Sequence, residues 1–410
     1  MLRIGRRKNA RSVRMVWRRA GRSKAGPDGL AVTGRQAGPV DPVLLFVVVT
    51  LAMVGLTVVY AATYHEGTDR IENHLVRATI GLFALFVGIR LKHTVLAGWF
   101  GWFLLGVVLG LMVVTAIAGR AAGVAHRWLP LLKKLSIQPA EIAKFVLPMW
   151  LAAYFARLKE KPEREWNLWR SLVRPGLVAL GFVVLTAAQP AVGTTAIMAA
   201  STLIMFFLVG VRLRFLVPVT LLAVVALVVL VWRVPYAHDR WQEFISGKCR
   251  QQQHSLIAIG SGGVIGKGLG EGKQKFYFLS KLETDFAIAS VGEEFGFAGA
   301  LVIFGLYAVF LVRGMQAGRR SPHHFGQYLA SGIVITIFLY ALVHIAVAVA
   351  WAPVTGQPLP FVSYGGSALV TNLFAAGVVL NVSRYTGRPD ENHAGRGWDR
   401  RPRLSRVSAR

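Results

Sequence analysis

The feature that most limits what this chain can become is a succession of apolar runs, most of about 18 residues or more, separated by shorter polar or basic stretches. A helix rising about 1.5 Å per residue needs roughly 20 such residues to cross a hydrocarbon core about 30 Å thick. Ten spans can be placed: 43–62, 75–91, 96–117, 141–157, 173–189, 194–211, 214–232, 286–312, 327–350 and 363–383. The segments at 75 and 141 are the short ones. Strands of a membrane barrel would alternate apolar and polar residues, and these runs do not. The expectation is an all-α, polytopic integral membrane protein with about ten transmembrane helices. Its large extracytoplasmic loop, 233–285, falls between the seventh and eighth.

Composition closes off other classes. Of 410 residues, 54% are hydrophobic and only 16% charged, and the mean hydropathy is +0.50, a balance that excludes an ordinary soluble domain. A formal charge of +28 would by itself point to nucleic acid, but the lysines and arginines collect in the tails and in alternate loops. That placement is a topology signal. With the N-terminal arm inside, the inside loops carry Arg90 and Lys92, Arg157 to Arg174, Arg212 and Arg214, and Arg313 to Arg320, and the tail begins at Arg384. Both termini are then cytoplasmic. Residues 1–40 form a basic arm without the apolar segment of a signal peptide, so it is expected to be retained and disordered, drawn to anionic lipid or to a partner. A transmembrane domain, 41–384, follows, and the basic tail 385–410 is also expected to be disordered. A single cysteine, Cys249, allows no internal disulfide and no metal or haem site built on cysteines. No repeat relates the two halves, which weighs against transporters built from inverted repeats.

The least membrane-like stretch, Ser255 to Gly299, holds the strongest candidates for chemistry. Asp285 stands directly before the apolar run that opens with Phe286. It reads both as a helix N-cap and as a general base at the membrane edge, flanked by Lys267, Lys273, Lys275 and Lys281. Glu293 and Glu294 fall about 12 to 14 Å deeper on the same helix, where bare carboxylates are costly. They are expected to face the interior, paired with a base or lining a polar cavity. Glu141 and Lys144 lie three apart and share a helix face that Pro139 can start, either as a local ion pair or as a contact for an amphiphile. Arg127 and Trp128, upstream, supply a guanidinium for phosphate and an indole for a sugar face, and Gln138 directly precedes Pro139. The glycines from 260 to 272 do not make a nucleotide loop, because Ser261 and Gly268 stand where glycine and serine or threonine are needed. They read as a re-entrant segment or a plain connection. Three prolines between Pro353 and Pro360 break any helix there, and Ser363, Gly365 and Gly366 then offer N–H donors to an anion at the next helix start. His344 and Cys249 are isolated.

Four motifs in order resemble one family. They are Gln138-Pro139-Ala140-Glu141 with Lys144; SLIAIGSGGVIGKGLG with Gln274-Lys275; Thr284-Asp285-Phe286 with Gly292 to Gly296; and LPFVSYGGSA from Leu359. Together, from about Asp41 to Arg384, they resemble the SEDS proteins of bacterial wall synthesis, the FtsW, RodA and SpoVE group. The resemblance implies a peptidoglycan glycosyltransferase polymerising lipid II, an undecaprenyl-diphosphate disaccharide pentapeptide, alongside a class B penicillin-binding transpeptidase and other division or elongation proteins. It also implies that Asp285 is the base that deprotonates the acceptor hydroxyl. Arg127, Lys144, Lys267 and Lys275 are then candidates to stabilise the leaving diphosphate, with a divalent cation (Mg or Mn) as a possible aid. The ending Leu380 to Arg384 and the long basic arm resemble the division member more, while Val354 to Gly356 with Leu359 to Gly366 also suits the elongation member. Three positions depart from the family pattern: Ala191 where a carboxylate is usual, Ser280 for a proline, and His254 for a glutamine. A lipid II flippase and a non-catalytic scaffold for a partner synthase are the competing readings.

Overall fold

The computed structural model describes residues 38–63, 69–121, 129–132, 135–161, 167–189, 191–272 and 282–385. Both basic arms lie largely outside these segments, as do Arg127, Trp128, Lys273, Lys275, Ser280 and Lys281. The chain runs α1 (Pro42–Thr63), α2 (Asp69–Arg90), the short α3 (His93–Ala97), α4 (Trp99–Ala121), β1 (Leu129–Leu132), β2 (Leu135–Ile137) and α5 (Pro139–Lys159). A π-helical turn, Trp169–Val173, leads into α6 (Arg174–Ala188), followed by α7 (Val192–Val209) and α8 (Leu213–Arg233). Then come α9 (Pro235–Ile245), α10 (Arg250–Gly262), the single turn α11 (Leu282–Asp285), α12 (Ala287–Arg319), α13 (His324–Ala348) and α14 (Gly366–Ser383).

All ten expected spans are helices. Among the described residues, nine are long and apolar enough to cross a membrane. The tenth, α5, carries Glu141, Lys144, Arg157 and Lys159. It is nonetheless one of the most buried helices, because its neighbours rather than lipid surround it. Two spans were drawn short. α2 begins six residues before 75, its polar first turns hiding the start, and α12 runs on past 312 through Arg313 to Arg319. The connection 118–140 contains an antiparallel hairpin, Leu129 facing Ile137 and Pro130 facing Ser136, the only strands among the described residues. The loop 233–285 contains α9 and α10.

α5, α12, α13 and α14 form the centre, with α2 packed along the length of α14. α8 is peripheral. Leu216 is its one buried residue among those described, and it touches α7 and α9 while presenting Leu221, Leu222, Val225 and Trp232 outward, as a helix facing lipid does. One end of the bundle is locked by Asp41, whose Oδ1 accepts from the N–H groups of Val43 (3.0 Å) and Leu44 (3.1 Å) and so caps α1. Its Oδ2 takes Nη2 of Arg313 at 2.6 Å, and the Arg384 guanidinium donates to Gly38 O at 3.0 Å.

α12 is not one continuous helix. Gly296 adopts φ 70°, ψ −169°, a region essentially reserved for glycine, and splits the helix after Phe295. A break inside a membrane helix strands backbone groups that lipid cannot satisfy. Here the glycine-rich segment satisfies them: Lys267 N–H donates to Glu293 O and Gly268 N–H to Glu294 O, both at 3.1 Å. In return Gly263 O accepts from Phe297 N–H (2.9 Å) and Val264 O from Ala298 N–H (3.1 Å). The approach is close enough that a Cβ on Gly262, Gly266 or Gly296 would overlap backbone of the opposing segment. The glycines therefore serve backbone-to-backbone contact with α12. Replacing Gly296 with alanine is expected to lower stability by at least about 2 kcal/mol, combining a forbidden φ with that overlap. Thermal unfolding of the purified chain in detergent checks this, and an unchanged midpoint would contradict it.

Candidate active site

The end of the bundle opposite Asp41 is organised by the loop 349–365. Its backbone is strained at Ala350 (φ 57°) and Phe361 (φ 68°), and it turns through Gly356 (φ 65°). Side chains from three helices pin it. Gln252 Nε2 of α10 donates to Val347 O (3.1 Å) and Ala352 O (2.7 Å), and Ser255 Oγ to Ala348 O at 2.8 Å. The Tyr307 hydroxyl of α12 donates to Pro360 O, and His344 of α13 donates from Nδ1 to Gln357 O at 2.9 Å. Gly193 of α7 lies against Thr355 and Gln357, and Gly55 of α1 against Phe361 and Val362. A backbone held at so many points can carry strain without relaxing it.

Asp285 meets this loop. A Cβ placed on Gly356 would stand 3.7 Å from Asp285 Oδ2, so the glycine leaves the carboxylate room. Asp285 ends α11 and is half-buried. The residue flanking α12 is Phe286 (φ −133°, ψ 31°), which has no capping side-chain bond. The expected capping position is thus occupied by Phe286, because α11 inserts its own turn before α12.

The other predicted residues divide into pairs. Lys144 Nζ lies 2.5 Å from Glu141 Oε2, with the two side chains 1% and 2% exposed, and stands 4.3 Å from the centre of the Tyr340 ring. This is the local ion pair, on the first turns of α5 after Gln138 at the N-cap and Pro139 at the first helical position. Glu293 and Glu294 are both buried, as expected of carboxylates at that depth. Lys267, on the glycine segment, lies 3.5 Å from Glu293 Oε1. Lys267 remains 34% exposed. A Cβ on Gly272 would fall 2.9 Å from Glu293 Oε2, so both glutamates sit beneath the glycine segment. Ser363 is taken up inside the loop, its Oγ accepting from Leu359 N–H at 2.8 Å. Gly365 and Gly366 open α14, as expected, and Gly366 faces Arg77 of α2.

Several residues of this end escaped the sequence reading. His344 lacked any sequence neighbour of the right kind, and its partner is a backbone carbonyl thirteen residues away. Gln252 and Ser255 act through backbone oxygens in the same way. Arg77 did carry a signal, since an arginine inside an apolar span marks a functional position by default. His74, one turn away, also lines a groove of about 390 Å³ between α1 and α2 with Leu56, Tyr60, Ile71 and Leu75. The departure at Ala191 is buried at the start of α7, next to Val192 and Gly193, so it lies near the Thr355 and Gln357 contact. Among the described residues no three His, Cys, Asp or Glu side chains gather to hold a metal.

A multi-pass membrane protein with a carboxylate held at one end of the bundle, against a pinned proline-rich loop, is the class that fold and site define. The family model for cell cycle proteins of the FtsW, RodA and SpoVE group matches residues 42–388, and the chain belongs to that family. It is 34% identical over 362 residues to a protein of Trichlorobacter lovleyi named probable peptidoglycan glycosyltransferase FtsW, covering 84% of this chain and 93% of that one. It is 33% identical over 364 residues to the stage V sporulation protein E of Bacillus subtilis, covering 84% and 98%. Among solved structures it is similar to the rod shape determining protein RodA of Thermus thermophilus, with a TM-score of 0.64, 26% identity and 85% and 98% coverage. It is also similar to a chain in a peptidoglycan synthase complex described as coordinating polymerization and crosslinking, with a TM-score of 0.69, 27% identity and 85% and 99% coverage.

Proposed function

We propose that this chain is a peptidoglycan glycosyltransferase that polymerises lipid II on the outer face of the cytoplasmic membrane, with both termini in the cytoplasm. Family membership and relatives named as glycosyltransferases support the activity. The observation that carries the site is Asp285: a half-buried carboxylate beside Gly356, at the end of the bundle away from Asp41 and Arg313. In this reading Asp285 takes the proton from the acceptor 4-hydroxyl as that oxygen attacks the anomeric carbon of the donor. The donor's diphosphate leaves from the opposite face, and the configuration inverts. Of Lys144 and Lys267, Lys267 has the more freedom to meet the diphosphate, since Lys144 is buried against Glu141. Arg127, Trp128 and Lys275 remain proposed contacts. A divalent cation, if bound, would be shared with the diphosphate oxygens, as Mg²⁺ commonly is.

The similarity to a chain of a synthase complex supports a penicillin-binding transpeptidase as partner, in division or in elongation. A flippase would need an open polar route, yet Glu141 and Glu293 are each tied to a lysine. The purified chain with its transpeptidase partner is expected to convert labelled lipid II into glycan chains. Transfer of lipid II across vesicles without any polymer would replace this reading with the transporter.

A further inference from the structure

We infer that the start of α14, together with Arg77 of α2, is a binding site for a phosphate or diphosphate group. Arg77 lies eight residues into α2, about 12 Å from its beginning at ~1.5 Å per residue. Among the described residues no acid or other hydrogen-bond acceptor meets its guanidinium, and its one ring contact is Tyr364, with Cζ 5.0 Å from the ring centre. An unpaired guanidinium at this depth is costly.

Its position makes the imbalance worse. A Cβ on Gly366 would fall 2.9 Å from Arg77 Nε and 3.2 Å from Cζ, so the guanidinium lies directly against the first residue of α14. That helix has 18 residues, and its N-cap, Gly365, has no side chain with which to cap it. The N–H groups of Gly366, Ser367 and Ala368 meet no acceptor among the described residues. The N-terminal ends of helices are electropositive, so two positive features face each other with nothing negative between them.

Two buried polar groups lie at the same place without partners. His74 is 2% exposed, its Nδ1 has no hydrogen bond, and its ring centre is 5.4 Å from that of Tyr364. Ser367, 8% exposed, is the second residue of α14, and its Oγ is likewise unmet. Backbone N–H groups, a hydroxyl, an imidazole and a fork-shaped guanidinium form a donor set suited to phosphate oxygens. Among the described residues these groups are donors met by no acid, a set that suits an anion. The polymerase reading enters only in naming a polyprenyl diphosphate as the physiological form.

The test is binding to the full-length chain in nanodiscs of neutral lipid, with undecaprenyl diphosphate, inorganic pyrophosphate and undecaprenol as probes. Undecaprenyl diphosphate is expected to bind, and Arg77→Gln to weaken it tenfold or more. Competition by pyrophosphate, lost in Arg77→Gln, would show that the anion alone suffices. A lack of competition with the same tenfold loss would show that the group is recognised on its lipid. Equal affinity for undecaprenol, or unchanged affinity in a folded Arg77→Gln variant, overturns the site. Where Arg77→Gln does not fold, Gly366→Ala takes its place, since the new methyl displaces the guanidinium. Weakened binding there supports the site, and retained binding overturns it. Because binding rather than turnover is read, a chain that binds diphosphate but makes no glycan would sink the polymerase reading and leave this one standing.

Discussion

Asp285→Asn is expected to slow glycan chain formation from lipid II by at least about a hundredfold, the lower range for removal of a positioned base. That corresponds to about 3 kcal/mol or more on the barrier. The amide keeps the shape beside Gly356, so folding should survive and the loss should fall on turnover rather than on lipid II binding. Polymerisation measured with the purified chain and its partner, alongside thermal unfolding, separates the two effects. Chain formation at the parental rate by a folded variant would remove Asp285 from the mechanism.

Lys144→Met is expected to destabilise the chain by about 3–5 kcal/mol, because it leaves Glu141 buried without its cation. The attraction inside the pair offsets the cost of taking both charges out of water, and removing one partner leaves that cost uncompensated. The double variant Glu141→Gln/Lys144→Met should recover a large part of the loss. If the two single effects simply add, the pair is not the unit that the 2.5 Å contact makes it. The double variant also decides the second role expected of these residues. A folded double variant that polymerises normally would confine the pair to stability, whereas one that folds and binds lipid II poorly would place it in contact with substrate.

The spans were legible because hydrophobicity over about 20 residues is a local property that the bilayer enforces. Their ends were less so: the early polar turns of α2, with Glu72 and His74, read as loop, and Arg313 and Arg319 read as the close of α12. The break at Gly296 was illegible, since nothing in Gly-Glu-Glu-Phe-Gly-Phe announces a positive φ. What makes the break tolerable is a segment thirty residues earlier in the chain. Asp285 was conspicuous as a carboxylate at a membrane edge, but its neighbour Gly356 is some seventy residues later. The approach of Lys267 to Glu293 was illegible for a related reason. Helical spacing relates residues within one element, whereas Lys267 reaches Glu293 from an irregular one.

The divided α12 also has a mechanical side. The segment Ala287–Phe295 is a stiff bar of nine residues, about 13 Å long at ~1.5 Å per residue, with Asp285 just beyond one end and the keyed joint with the glycine segment at the other. A bar of that length turns a tilt of about 5° at the joint into roughly 1 Å of travel at its far end, and misplacement on that scale can cost an enzyme a hundredfold in rate. In the role proposed for Asp285, the glycines of the joint then set the aim of a carboxylate at the far end of the bar, and changes there are expected to cost turnover as well as stability.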